Sequence, residues 1–253
     1  LGDVYKRQAL RHDIQYQSLE SARANKPKID WSITAPRPSF EGVRTYNTIS
    51  LEDLVPYIDW TPFFQAWELA GSYPSILTDP VVGPSARSLW NDAQTMLAHM
   101  VQEHWIQLRA TVGFFQAYSD GCEDIILPKA GEVLHTLRQQ NVRKDGRPNL
   151  ALADFIVPKE LGIQDWVGGF TVTTGIGLEE RIAAFESKQD DYSSILLKAL
   201  ADRFAEALAE YMHEKVRKEL WGYAPEESLS PIQLLQECFE GIRPAPGYPA
   251  CPD

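Results

Sequence analysis

The sequence predicts an α+β fold, a single domain with a mainly antiparallel sheet flanked by long helices. Three observations carry that expectation. Residues 84–105 repeat apolar side chains at helical spacing, with Ala86, Leu89, Trp90, Ala93, Leu97, Met100 and Val101 on one stripe. Four segments then change period: RATVGFFQAY (109–118), EDIILP (123–128), EVLHTLR (132–138) and WVGGFTVTT (166–174) are short and rich in β-branched and aromatic residues. Turn signals such as Ser119-Asp120-Gly121 and Lys144-Asp145-Gly146 divide them. Helical periodicity returns over residues 178–189 and 192–220, where Ile195, Ala199, Phe204, Leu208 and Tyr211 are expected to form a core face and Gly222 to close the helix. Helices, then strands, then helices without strict alternation argue against a doubly wound sheet.

The remaining elements follow in order. Residues 1–8, LGDVYKRQ, resemble translated adapter sequence and read as a non-native leader. Residues 9–24 suit an exposed lead-in helix that stops before Asn25-Lys26-Pro27. Prolines at 27, 36 and 38 then predict an extended arm over residues 26–50 with no regular element, so that residues 9–39 read as linker helix and arm. Thr61-Pro62 marks a helix start, with the hydroxyl as cap, Asp59 and Trp60 just outside it, and Gly71 ending the FFQAWELA segment. Ser230-Pro231-Ile232-Gln233 is a capping box that opens a final helix, expected to run to Gly241 and release GIRPAPGYPACPD (241–253) directly.

The charge balance, 24 Lys+Arg against 35 Asp+Glu for a net −11, repels phosphate backbones and anionic membrane surfaces and so disfavours nucleic-acid and membrane binding. The three cysteines, Cys122, Cys238 and Cys251, are scattered and lack C-x-x-C spacing, which suits a reducing cytoplasm better than a disulfide framework or a zinc knuckle. No apolar run approaches the roughly 20 residues that span a bilayer.

Several chemical motifs fail on one position. Gly175-Ile176-Gly177 follows a strand and opens a helix, but Glu180 stands where a dinucleotide fingerprint needs its third glycine, so a tight strand-to-helix turn is the expectation. His213-Glu214 begins like a zinc-protease helix, but residue 217 is arginine in place of the second histidine. His99 and His104, five apart on a helix, fall on different faces. Glu206 sits among Ala205, Ala207 and Ala209, small neighbours that let a ligand approach a carboxylate, although the pattern alone favours a plain solvent-facing glutamate. In the terminal loop, prolines at 244, 246, 249 and 252 impose extended geometry and Gly247 permits a sharp turn. Such a stiff loop suits either an interdomain linker or a preformed ligand site, with Arg243 as a planar fork for a carboxylate and Tyr248 as a flat wall.

Together, GIRPAPGYPACPD, YIDWTPFFQAWELAGSYP (57–74), VTTGIG (172–177) and KALADRFAEALAEYMHEKVRKELWGYAP (198–225) resemble the activation domain of cobalamin-dependent methionine synthase, in order from about Phe40 to the last residue. The resemblance implies an S-adenosylmethionine-binding α+β domain over residues 40–253 that closes over a cobalamin domain for reductive reactivation. It implies methyltransferase activity of a longer polypeptide, whose homocysteine, folate and cobalamin domains lie elsewhere, any zinc among them. Flavodoxin or a flavoprotein reductase would supply the electron. By the same resemblance Asp59 and Glu206 are acidic contacts to the ligand, Arg243 meets its carboxylate, and Ala245, Gly247 and Tyr248 hold its adenosyl part. The family continues past Cys251-Pro252-Asp253 with further strands, which implies that the domain is incomplete at this end. Other classes remain open on the residues: a non-catalytic docking module for a flavodoxin-like redox protein, or a hydrolase using Asp59 and Glu206 as an acid/base pair.

Overall fold

The computed structural model describes residues 15–33, 35–143 and 146–245. The expected leader over residues 1–8 and the first part of the expected lead-in helix lie outside them. The chain divides into two compact units, each assembled from separated stretches: unit 1 from residues 1–42, 114–168 and 241–253, and unit 2 from residues 43–113 and 169–240.

Five strands form one sheet: β1 (Gly42–Tyr46), β2 (Gln107–Ser119), β3 (Asp124–Leu127), β4 (Glu132–His135) and β5 (Asp165–Ile176). Their order is β1-β2-β3-β4, with β5 joined to β2. The β2–β3 and β3–β4 pairs are antiparallel, with Tyr118 opposite Ile126 and Ile125 opposite Leu134. The mixed helix-and-sheet class therefore matches the expectation. β1 is a correction, because the arm was expected to contain no regular element. All three of its central residues are exposed, so its side chains show no apolar alternation to reveal it.

Among the described residues, the first helix of unit 1 is the short α1 (Leu19–Ala24), capped by the Ser18 hydroxyl and ended at Asn25 as expected. Within the described residues it does not reach back to Tyr16, which bridges Asn141 in extended geometry. Ala117, Ile125, Leu127, Ala153 and Ile156 make a small apolar cluster beneath the strands. Beside it, the fully buried Arg138 donates to Glu123, to both oxygens of Asp154, and to the carbonyls of Cys122 and Asn149.

Unit 2 is helical around α6 (Asp191–Lys215), whose first turn is capped by the Asp190 carboxylate on Ser193 N–H. The helix continues in π geometry over Val216–Leu220 and closes at Gly222 with φ +78°. Packed against α6 are α2 (Leu51–Leu54), the single turn Val55–Tyr57, α3 (Trp60–Ala66), α4 (Gly83–Gln102) and α5 (Leu178–Glu186). The α4 stripe matches its prediction, with Ala86, Leu89, Ala93, Leu97 and Met100 buried. The predicted α6 face needs rotation. Phe204 and Leu208 are buried, but Ile195 is 53% exposed, and the true stripe runs through Leu196, Leu197, Leu200, Ala201, Phe204, Ala207, Leu208 and Met212. The run Ile195-Leu196-Leu197 is apolar on both sides, so periodicity alone cannot choose the buried one.

Two helix ends also differ. The last helix, α7 (Pro231–Leu235), has the expected capping box, with Ser230 Oγ accepting Gln233 N–H and Gln233 Oε1 accepting Ser230 N–H. It stops well before Gly241: Glu237 turns to φ +54° and Cys238 N–H reaches Gln233 O. The terminal segment therefore does not leave a helix directly. The α5 start behaves as the failed fingerprint implied. Gly177 takes φ +90°, and a Cβ there would sit 2.9 Å from Trp105 O, so glycine is required by backbone conformation and by space.

Candidate functional site

The two acidic candidates, Asp59 at the start of a helix and Glu206 within one, lie in unit 2. Asp59, not the expected Thr61, is the N-cap of α3: its Oδ1 accepts Thr61 N–H at 3.0 Å, while Thr61 Oγ1 accepts Tyr73 N–H. Trp60, expected outside, is the first residue of the helix and is buried against Trp90, their rings 4.6 Å apart. α3 also ends at Ala66, short of Gly71. The Asp59 side chain is half-buried, and its Oδ2 accepts no hydrogen bond from the described residues.

Glu206 lies on α6, exposed, with Ala207 buried behind it. Among the described residues it takes part in no hydrogen bond or ion pair. Because α3 packs against α6, the helix start that carries Asp59 and the helix that carries Glu206 are direct neighbours.

A contact not foreseen from the sequence links the same elements. Tyr57, two residues before Asp59, donates its O–H to Glu214 Oε2 at 2.6 Å, and its ring meets Tyr211 edge-on with centroids 5.6 Å apart. Lys218 Nζ lies 3.2 Å from the other Glu214 oxygen. Burial, reinforced by the Glu214 carboxylate, pushes the Tyr57 phenol well above the usual range, so it stays a donor. A lone tyrosine next to a proline carries no motif that would announce this bond.

The remaining candidates belong to unit 1. Arg243 is half-buried and Ala245 exposed; Gly247 and Tyr248 lie outside the described residues. A cleft of about 520 Å³ in unit 2, walled by Met96, Trp105, Phe185 and Leu196, is lined by none of the six candidates. The other failed motifs are accounted for locally. His213 meets the Phe239 ring edge-on, Arg217 forms a buried pair with Glu227, and His99 faces Glu103 while His104 lies past the end of α4. Among the described residues no three His, Cys, Asp or Glu side chains are grouped to hold a metal ion, and no helix is long and apolar enough to cross a membrane.

The model of one protein family, vitamin B12 dependent methionine synthase activation domain, matches residues 50–253. The chain belongs to that family. A crystal structure of the MetH reactivation domain bound to AdoHcy is similar throughout: 47% sequence identity and a TM-score of 0.87, covering 94% of this chain and 74% of that one. This activation domain therefore has the mixed architecture of the solved reactivation domain, with an antiparallel sheet and long helices.

Proposed function

We propose that this activation domain binds S-adenosylmethionine and closes over a cobalamin-binding domain of the same polypeptide, so that an oxidised cobalamin is reductively methylated and returned to methyl transfer from methyltetrahydrofolate to homocysteine. The observation that carries the reading is the likeness to a reactivation domain solved with AdoHcy, the demethylated form of that ligand. The residues present fit a cationic amino-acid ligand: Asp59 offers an open carboxylate oxygen in a half-buried setting, and Glu206 adds a second negative charge on the neighbouring helix. In this reading the two carboxylates hold the ligand's ammonium group and soften its sulfonium charge, Arg243 takes its carboxylate as a planar fork, and Ala245, Gly247 and Tyr248 hold the adenosyl part.

When bound, S-adenosylmethionine supplies the methyl group for an in-line displacement at carbon, which needs no protein base or nucleophile. The work of this chain is binding and orientation, which agrees with the absence of a triad or elbow motif in the sequence. The electron would come from a flavodoxin or flavoprotein reductase. Zinc, where the full enzyme uses it, would be held in another domain. A cytoplasmic setting belongs to the same proposal, supported by the free thiols of Cys122 and Cys238.

Titration calorimetry with S-adenosylmethionine tests the reading. The chain is expected to bind, and Arg243→Ala to weaken binding by roughly tenfold or more, the scale of one lost charge-assisted contact. Unchanged affinity in Arg243→Ala would refute the carboxylate contact, and no binding heat from a chain carried through the family's full length would refute the ligand.

A further inference from the structure

We propose that Tyr57 is a positioning residue for the ligand site: its hydrogen bond to Glu214 fixes Asp59 against α6 and so sets the spacing between the Asp59 and Glu206 carboxylates. The inference rests on the reading of Asp59 as a ligand contact.

After Asp59 the chain is held by α3, but the backbone before it gives little support. The turn before it spans only Val55–Tyr57, and its closing bond, Ile58 N–H to Val55 O, is 3.4 Å, at the long end for an amide. Two side chains tie the turn down. Ile58 is buried, which resists lifting but is non-directional. Tyr57 supplies the direction, because a 2.6 Å O–H to carboxylate bond has a narrow geometry.

The acceptor is well placed for this role. Glu214 stands in the last turn of α6, eight residues after Glu206, or about 12 Å along the axis at the usual rise per residue. Its second oxygen is engaged by Lys218, so the carboxylate is held at both ends. Glu206 is attached to α6 covalently, and Asp59 is held to it by the packing of α3 and by the Tyr57 bond, so one rigid helix references both negative charges. The Tyr57 ring also packs on Tyr211, a contact that a phenylalanine would keep. The hydroxyl alone can therefore be removed.

Titration of the full chain with S-adenosylmethionine, with melting temperatures recorded alongside, tests this. Tyr57→Phe is expected to weaken binding roughly five- to tenfold, part of the value of a charge-assisted contact. Glu214→Gln keeps an acceptor oxygen and should stay within about twofold of the parent chain, whereas Glu214→Ala should match Tyr57→Phe. In an Asp59→Asn background, Tyr57→Phe should have no further effect, because the hydroxyl acts through that carboxylate. A silent Tyr57→Phe, or a loss that persists in full in the Asp59→Asn background, overturns the positioning role while leaving the ligand reading intact. A silent Asp59→Asn overturns the assignment of Asp59 itself. A purely structural tyrosine would lower the melting temperature without this dependence on Asp59.

Discussion

At the centre of unit 1 lies a guanidinium, and at the centre of unit 2 lie rings and aliphatic chains. Arg138, with no exposed side-chain surface, is held by Glu123, Asp154 and two carbonyls. Asn149 is a second polar hub: it accepts from Gln17 and Asn25 through Oδ1 and donates to the carbonyls of Gln139 and Asn141. Unit 2 instead buries Phe63, Phe64, Phe204, Leu200 and Leu208 around α6, with Trp60 and Trp90 packed edge to face. It has a buried cation as well, Arg217, but that group pairs with one carboxylate and one ring beyond the end of α6 and leaves the helix core apolar. A polar centre is specific and conditional, since it stabilises only while every partner is present and correctly charged. An apolar centre depends on volume and little else.

The largest expected effects expose that difference. Arg138→Ala should cost about 3–5 kcal/mol at neutral pH, because Asp154 is left as a buried charge without its cation. Phe64→Ala should cost a similar amount, about 3–5 kcal/mol, through the cavity it opens. The two should separate on acidification. The Arg138→Ala penalty should shrink as pH falls, because part of it is the Arg138 stabilisation of the Glu123 carboxylate, which is lost once that group is protonated, while the Phe64→Ala penalty should not change. Denaturant unfolding of both variants at neutral and acidic pH checks this, and parallel pH responses would break the contrast.

The same contrast explains what the sequence disclosed. The α4 stripe was legible because its apolar residues repeat at 3.6 against polar neighbours, and the glycine at 177 because a strand-to-helix turn needs positive φ there. Nothing marked Arg138 or Asn149, since a buried polar hub is assembled from residue types that are ordinarily exposed. Helix ends were legible only where the cap was a conventional one: Ser230 was foreseen, whereas α7 stops at a non-glycine residue of positive φ, Glu237, that no rule anticipates. At the site, Asp59 beside a helix start was readable, but the cap proved to be its own carboxylate, two residues earlier than the hydroxyl expected. Tyr57 was unreadable because its partner lies 157 residues away.

Acid titration gives a smaller effect with a definite sign. The hydrogen bond from Arg23, together with the Arg138 guanidinium, holds the Glu123 carboxyl below its ordinary range of about 4.5. A carboxyl depressed in the folded state binds its proton less readily there than in the unfolded chain. Its stabilisation is therefore complete above the unfolded value and is lost as pH falls below about 4.5 through the folded value. The stability difference between the parent chain and Glu123→Gln, followed by thermal melts, should shrink over that window and stay flat from pH 6 to about 8. A difference that grows on acidification would reverse the assignment.

The smallest expected effect tests whether the polar centre of unit 1 extends to its surface. Arg23 donates from Nε and Nη2 to Glu123, yet its side chain is 47% exposed, so water screens the pair and competes for the guanidinium. The segment around α1 that carries Arg23 has better anchors in Gln17 N–H to Gln140 O at 2.9 Å, Val142 N–H to Gln15 O at 2.7 Å, and Asn149 N–H to Asn25 O at 3.0 Å. These backbone bonds do not depend on salt in the way an exposed ion pair does. Arg23→Ala should therefore cost little, and the cost should fall towards zero in 1 M salt. A salt-insensitive loss on the scale of Arg138→Ala would mean that the exposed guanidinium and the buried one act as a single network, with the α1 segment a working part of the unit 1 core.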